Sequence, residues 1–132
     1  MKFMLDTDTV IYARNAKPEA VLSRFRSYAP GDLCISAVTM AELEYGINNS
    51  SKPDRNRMAL YLFLAEVNVL PFDANAAYEY GIIRNSLKQK GQLIGANDML
   101  IAAHARSQDL TLITGNVREF SRVEGLKLES WT

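Results

Sequence analysis

The chain has 132 residues, 48% of them hydrophobic, which suits one core-forming domain over residues 1–132. Lys and Arg number 15 against 15 Asp and Glu; zero net charge argues against a protein that coats nucleic acid, while leaving room for a nuclease whose acidic site and basic rim cancel. Cys34 is the only cysteine, so no internal disulfide forms and a reducing, cytoplasmic setting is expected; no apolar run approaches the ~20 residues of a membrane span, and no leader precedes the first apolar run.

Phe3-Met4-Leu5 is too short for a free-standing helix and reads as a buried strand. Asp6-Thr7-Asp8-Thr9 then reads as the turn into a helix, with Thr7, Asp8 or Thr9 as N-cap and the helix running from Val10. Pro18 opens a second helix, Glu19 to Tyr28, with Val21, Leu22, Phe25 and Tyr28 on one face. After the Pro30-Gly31-Asp32 turn, Leu33-Cys34-Ile35 forms a second strand. Ser36 or Thr39 caps a helix to about Ile47. Asp54 to Glu66 is helical, with Met58, Tyr61, Leu62 and Ala65 among its apolar residues; Val67 to Leu70 is a third strand.

Asp73 caps the most regular helix, in which Ala76, Ala77, Tyr80, Ile83 and Leu87 recur at helical spacing. A glycine-containing loop follows, then a helix from about Asp98 to Ser107 and a fourth strand, Leu110 to Thr114. Gly115-Asn116 leads into one helical turn ending at Phe120, and Leu126 to Leu128 is a short fifth strand. Strands alternate with helices throughout, so the fold class is α/β: a central parallel sheet of four to five strands with helices on both faces.

Right-handed crossovers place the start of every helix that follows a strand at the carboxyl edge of the sheet, where open α/β sheets bind ligands. Asp6, Glu42, Asp98 and the pair Asn116/Glu119 therefore converge there. Crowded carboxylates stay ionised only if a cation compensates them. The oxygen-only set suits Mg²⁺, with Mn²⁺ as a substitute, and such a site performs phosphodiester hydrolysis. Each residue also has a plainer reading. Asp98 suits an N-cap, Thr39 with Glu42 matches a capping box, and Gly115-Asn116 is ordinary turn chemistry. An acid closing a buried strand, as Asp6 does, is harder to explain structurally.

Met4-Leu5-Asp6-Thr7-Asp8, Ile35-Ser36-Ala37-Val38-Thr39-Met40-Ala41-Glu42-Leu43, Asn97-Asp98-Met99-Leu100-Ile101-Ala102-Ala103-His104-Ala105 and Leu112-Ile113-Thr114-Gly115-Asn116-Val117-Arg118-Glu119-Phe120 occur in this order. Together they resemble the PIN-domain family, and within it the VapC toxins of bacterial toxin–antitoxin pairs. The closing Leu128-Glu129-Ser130-Trp131 resembles the subgroup that cuts initiator tRNA. The resemblance implies a Mg²⁺-dependent endoribonuclease that cleaves initiator tRNA in its anticodon loop and arrests translation. It implies a homodimer, open to assembly into a larger toxin–antitoxin complex, and a cognate VapB antitoxin whose tail enters the active-site groove.

On this resemblance Asp6, Glu42 and Asp98 are the metal-binding acids. Ser36, Thr39 and Thr114 are supporting hydroxyls, joined by Thr7 and Asp8 beside Asp6. The sequence departs from the family at Asp8, where Asn is usual, and at Asn116, where many members carry a fourth acid; Glu119 is the substitute. Arg84, Lys88 and Lys90 are the basic residues placed to grip RNA phosphates. His104 falls on the far side of its helix from Asp98 and reads as structural. Trp131 is expected to pin the C-terminus to the core, and the apolar excess of Tyr61-Leu62-Phe63-Leu64 to form a dimer or antitoxin surface.

Two alternatives remain. Asp6-Thr7-Asp8-Thr9 fits the signature of haloacid-dehalogenase-like phosphatases, with Asp6 as nucleophile and Asp8 as its acid–base partner. The acids could also hold a metal for structure alone in a binding module.

Overall fold

Alternate residues of the short central strands face opposite sides of one sheet and enter separate cores. The computed structural model describes all residues, Met1–Thr132. Its elements run β1 (Phe3–Leu5), α1 (Thr7–Asn15), α2 (Glu19–Arg26), β2 (Leu33–Ser36), α3 (Ala37–Asn48), α4 (Pro53–Phe63), β3 (Asn68–Leu70), α5 (Ala74–Gln89), α6 (Ala96–Ser107), β4 (Thr111–Ile113), α7 (Val117–Phe120) and β5 (Leu128–Glu129). The five strands lie in the order β3-β2-β1-β4-β5, and every pairing is parallel.

Register decides which side chains share a core. Met4 pairs with Cys34 and Leu112, and all three belong to the core closed by α5 and α6 through Ile83, Leu87, Met99 and Ile101. Leu5 pairs with Ile113; both join Ile35, Val10, Val21, Leu43 and Leu60 in the core under α1 to α4. Cover on both faces follows from the apolar central strands β1, β2 and β4, and β2 is buried throughout.

Strand order also creates a crevice. The chain moves from β1 outward to β2 and β3, then returns to place β4 on the other side of β1. The carboxyl ends of β1 and β4 thus flank a topological switch point. Asp6 follows β1 and Thr114 follows β4, and the Asp6 N–H donates to the Ile113 carbonyl at 3.0 Å.

Several expectations shift. Asp6 itself, not Thr7, Asp8 or Thr9, caps α1: its backbone is extended and its side chain accepts from the Thr9 N–H. Ser36, not Thr39, caps α3. Asp98 is not a cap, because α6 begins two residues earlier and Gly95 occupies that position. The helix from Asp54 starts at Pro53 and ends at Phe63, so Ala65 and Glu66 lie beyond it. It turns Leu60 and Leu64 inward and leaves Met58, Tyr61 and Leu62 exposed. On α5, Ala76, Ile83 and Leu87 are buried but Ala77 is not. The fifth strand forms at Leu128–Glu129 rather than from Leu126.

Trp131 behaves as expected. It is 4% exposed, stacks on Tyr28 at 5.7 Å, and donates from Nε1 to Glu129 Oε2. Leu112, with no exposure, sits mid-sheet in the α5/α6 core. Leu112→Ala is expected to lower unfolding stability by about 2–5 kcal/mol with an unchanged denaturant slope. A loss below about 1 kcal/mol in urea titrations would mean that this core is loosely packed.

Candidate active site

The site grows outward from Asp6. Its backbone is fixed by the bond to β4, and its Oδ1 accepts from the Thr9 N–H at 2.8 Å. The Thr9 hydroxyl reaches across to the Ile113 carbonyl at 3.1 Å, tying the first turn of α1 to the end of β4. Only 5% of Asp6 is exposed. Burial raises the pKa of its carboxyl; bonds from the Thr114 hydroxyl and from Thr9 oppose this, and the Asp8 charge adds to it. Asp8 itself is exposed on α1. The cap has a consequence for mutagenesis, since Asp6→Ala removes a helix cap worth about 1 kcal/mol together with a carboxylate, whereas Asp6→Asn keeps the cap.

Glu42 comes from the second turn of α3, not the first, because the helix starts at Ala37. With Ser36 as cap, Thr39 and Glu42 form no capping box. Glu42 instead crosses to other elements. Oε1 accepts from the Thr7 hydroxyl at 2.5 Å and Oε2 from Asn97 Nδ2 at 3.3 Å. Thr7 also bonds the buried Thr39 hydroxyl at 3.4 Å.

Asp98 lies in the first turn of α6, and Glu119 approaches it from α7. Partial burial, the bond to Glu119 and the negative charges of Glu119, Asp6 and Glu42 push the Asp98 carboxyl up to about 7. Glu119 moves the other way: although desolvation opposes the change, bonds from the Gly95 N–H, Asn116 and Asp98 hold it below its ordinary value. The two carboxyls thus shift in opposite directions, Asp98 upward and Glu119 downward. Asn116 donates from Nδ2 to Glu119 Oε2 at 2.6 Å, and its own N–H is held by Thr114 Oγ1 at 2.9 Å. Asn116 and Glu119 thus act as one unit.

The remaining candidates divide. Thr7, Thr39 and Thr114 lie in this hydrogen-bonded set. Ser36 does not: it is fully buried, accepts from the Val38 N–H, and shares a 2.7 Å bond with His104 Nδ1. His104 is likewise buried, and loss of water favours its neutral form. Lys88 and Lys90 are exposed at the end of α5 and in the loop that follows. Arg84, one turn earlier, bonds the Tyr80 hydroxyl at 2.7 Å.

Two neighbours of the acids carried no sequence signal of their own. Asn97 bonds Glu42, and the Arg122 guanidinium, anchored on the Leu93 carbonyl, lowers the pKa of Glu119. Asn97 adjoins Asp98 in the first turn of a helix, and Arg122 follows Glu119 by three positions, a spacing that brings helical neighbours together.

A cleft of about 680 Å³ opens beside the acids, lined by Thr7, Val38, Ala41, Glu42, Tyr45, Asn97 and Leu100. As the side chains stand, no three acidic, histidine or cysteine groups close around one point. Threonine hydroxyls, amides and backbone N–H groups occupy them instead. Their chemistry nevertheless fits a hard divalent cation: all are oxygen donors, and a cation is the charge that would make Asp98 tolerable beside Glu119, Asp6 and Glu42.

Comparison with known proteins agrees with this geometry. A PIN-domain profile matches residues 3–126. Over 131 residues the chain is 44% identical to Ribonuclease VapC2 of Haemophilus influenzae, covering 99% of this chain and 98% of the relative. Over 132 residues it is 44% identical to the tRNA(fMet)-specific endonuclease VapC of Shigella flexneri, covering 100% and 99%. It superposes at a TM-score of 0.93, with 38% identity and full coverage of both chains, on a chain of the Rickettsia felis VapBC2 complex bound to a DNA fragment from their promoter. It reaches 0.93 at 41% identity on a chain of the DNA-bound Salmonella typhimurium VapBC complex, covering 100% and 99%. Relatives that are ribonucleases over the full length displace both the phosphatase and the non-enzymatic alternatives.

The upward shift of Asp98 is measurable. In cation-free buffer the Asp98 carboxyl carbon should titrate with a midpoint of about 7 by NMR. Because the folded value lies above the unfolded one, stability falls as pH rises from about 4 to about 7, and Asp98→Asn flattens that slope. A midpoint near 4, that of a free aspartate, would show that the acids are not crowded.

Proposed function

Because the chain belongs to the PIN-domain family, and within it to the VapC ribonucleases, we propose that it cleaves initiator tRNA in the anticodon loop and so arrests translation. As a PIN-domain nuclease it is metal-dependent; Mg²⁺ is the ion proposed, with Mn²⁺ able to replace it. The proposed substrate follows from the Shigella and Salmonella relatives named tRNA(fMet)-specific endonucleases, at 44% and 41% identity. The solved neighbours are VapBC complexes, and a VapB antitoxin is the proposed partner. The toxin acts as a homodimer in the bacterial cytoplasm. No helix is long and apolar enough to cross a membrane. The whole of residues 1–132 forms the catalytic unit.

Asp6 and Asp98 would hold the cation from opposite sides of the switch crevice. Glu42, oriented by Thr7 and Asn97, assists, and the Asn116/Glu119 unit completes the set. When bound, the ion activates water and offsets charge on the phosphate oxygens. The protein's own work is positional. Thr9 and Thr114 hold the Asp6 carboxylate, and the Gly95 N–H and Asn116 hold Glu119. The cleft beside Glu42 is the proposed seat of unpaired nucleotides, and Lys88, Lys90 and Arg84 are the basic residues proposed to grip RNA phosphates. On the opposite flank, Phe25, Tyr28, Leu62 and Phe63 line an apolar groove of about 310 Å³ that suits an antitoxin helix.

What supports this reading is the hydrogen-bonded layer at the carboxyl edge, where Thr7 and Asn97 hold Glu42, the Gly95 N–H and Asn116 hold Glu119, and Thr9 holds Asp6. Purified protein with Mg²⁺ should cut total RNA at one anticodon-loop position of initiator tRNA, and EDTA should stop it. Asp6→Asn and Asp98→Asn should each lower kcat by about 100- to 1,000-fold with the fold retained and growth arrest relieved. Wild-type cutting by the folded Asp98→Asn protein, or cutting in EDTA, would overturn the assignment.

A further inference from the structure

Helices α3 and α6 are joined by two side-chain rungs. At the site, Asn97 on α6 donates to Glu42 on α3. Deeper in the protein, His104 on α6 bonds Ser36, the cap of α3, at 2.7 Å. The rungs run in opposite senses along the two helices. Ser36 precedes Glu42 by six residues and His104 follows Asn97 by seven, so the helices pass antiparallel, with rungs about 9–10 Å apart at 1.5 Å per residue.

The inner rung differs from ordinary surface polarity. Ser36 and His104 both have no exposure. No side chain bonds the buried His104 Nε2; the Pro71 backbone and the Asp73 charge act on the ring, and Nδ1 is the ring atom with a defined side-chain contact, to Ser36. Phe72 meets the ring edge-on at 5.4 Å and limits its rotation. Ser36 Oγ also accepts from the Val38 N–H, so one atom both starts α3 and fastens it to α6. An isolated histidine in a core otherwise built of Ile, Ala and Leu costs desolvation, and apolar packing alone allows a helix to slide. A directional bond at one end of the contact does not.

We propose that His104 is a positioning residue for RNA cleavage: its Nδ1 bond to Ser36 sets the register of α6 on α3, and thereby the placement of Asp98 opposite Glu42. The proposal rests on the reading of those two acids as cation-site residues. His104 touches neither of them in the contacts described, and it acts through the helices.

The test uses full-length His104→Leu, His104→Asn and His104→Gln. An asparagine amide falls near the place of Nδ1, whereas a glutamine amide falls near Nε2. Mn²⁺ affinity is measured by calorimetry on RNA-free protein, and kcat and KM on the RNA substrate, with circular dichroism and thermal unfolding as checks on the fold. His104→Leu should lower both Mn²⁺ affinity and kcat by about tenfold or more with KM nearly unchanged. Asparagine should restore most of both, and glutamine should not. A folded His104→Leu protein with wild-type Mn²⁺ affinity and kcat would overturn the proposal, as would equal rescue by glutamine and asparagine. If the leucine protein fails to fold, the asparagine and glutamine pair decides alone. Wild-type protein that binds Mn²⁺ in a His104-dependent way yet cuts no RNA would leave the positioning role standing and defeat the ribonuclease reading.

Discussion

Mutual repulsion among carboxylates at the carboxyl edge of the sheet is the constraint around which this protein is arranged. Asp6 is almost fully buried, and Asp98 feels Glu119, Asp6 and Glu42 at once. Left alone, such a group would splay into solvent or take up protons. The structure answers with donors drawn from many elements: the Thr9 N–H and Thr114 for Asp6, Thr7 and Asn97 for Glu42, the Gly95 N–H and Asn116 for Glu119. What these do not offset shows in the Asp98 carboxyl, which burial and the neighbouring acids push up to about 7. A cation is the charge that would relieve this crowding.

The scaffold makes this crowding tolerable. Short strands, of which β1, β2 and β4 bury apolar residues on both faces, anchor two separate cores. The polar residues begin where β1 and β4 end, so Asp6 and Thr114 appear side by side at the switch point. α3 and α6 then bring in their acids from flanking positions, and the buried Ser36–His104 bond links the two helices below the level of the site. Stability and placement are in this way divided between an apolar interior and a thin polar layer above it.

Much of this was legible in the sequence for a topological reason. Alternating strands and helices with right-handed crossovers leave only one edge at which Asp6, Glu42, Asp98 and Glu119 can emerge. What escaped was local. Asp6 does two jobs, closing β1 and capping α1, and a residue read as the end of a strand hides its role as a cap. Glu42 came out one turn late because Ser36 and Thr39 are equally good caps by type; the helix starts at Ala37, where Ser36 accepts from the Val38 N–H. Met58, Tyr61 and Leu62 turned outward because α4 carries apolar residues on more than one face, so its periodicity did not select the buried stripe. Asn97 belongs to the site through Glu42, a partner distant in sequence that no local pattern encodes, whereas Arg122 reaches Glu119 from three positions on.

The account stands or falls on whether Asp6 and Asp98 serve one ion. Crystals of the protein soaked in Mn²⁺ and measured at the manganese absorption edge give that answer without reliance on activity. An anomalous peak at the carboxyl edge between β1 and β4, within coordination distance of oxygens from both Asp6 and Asp98, is the result expected. Manganese bound by only one of the two, or found only away from the switch point, would contradict the central claim.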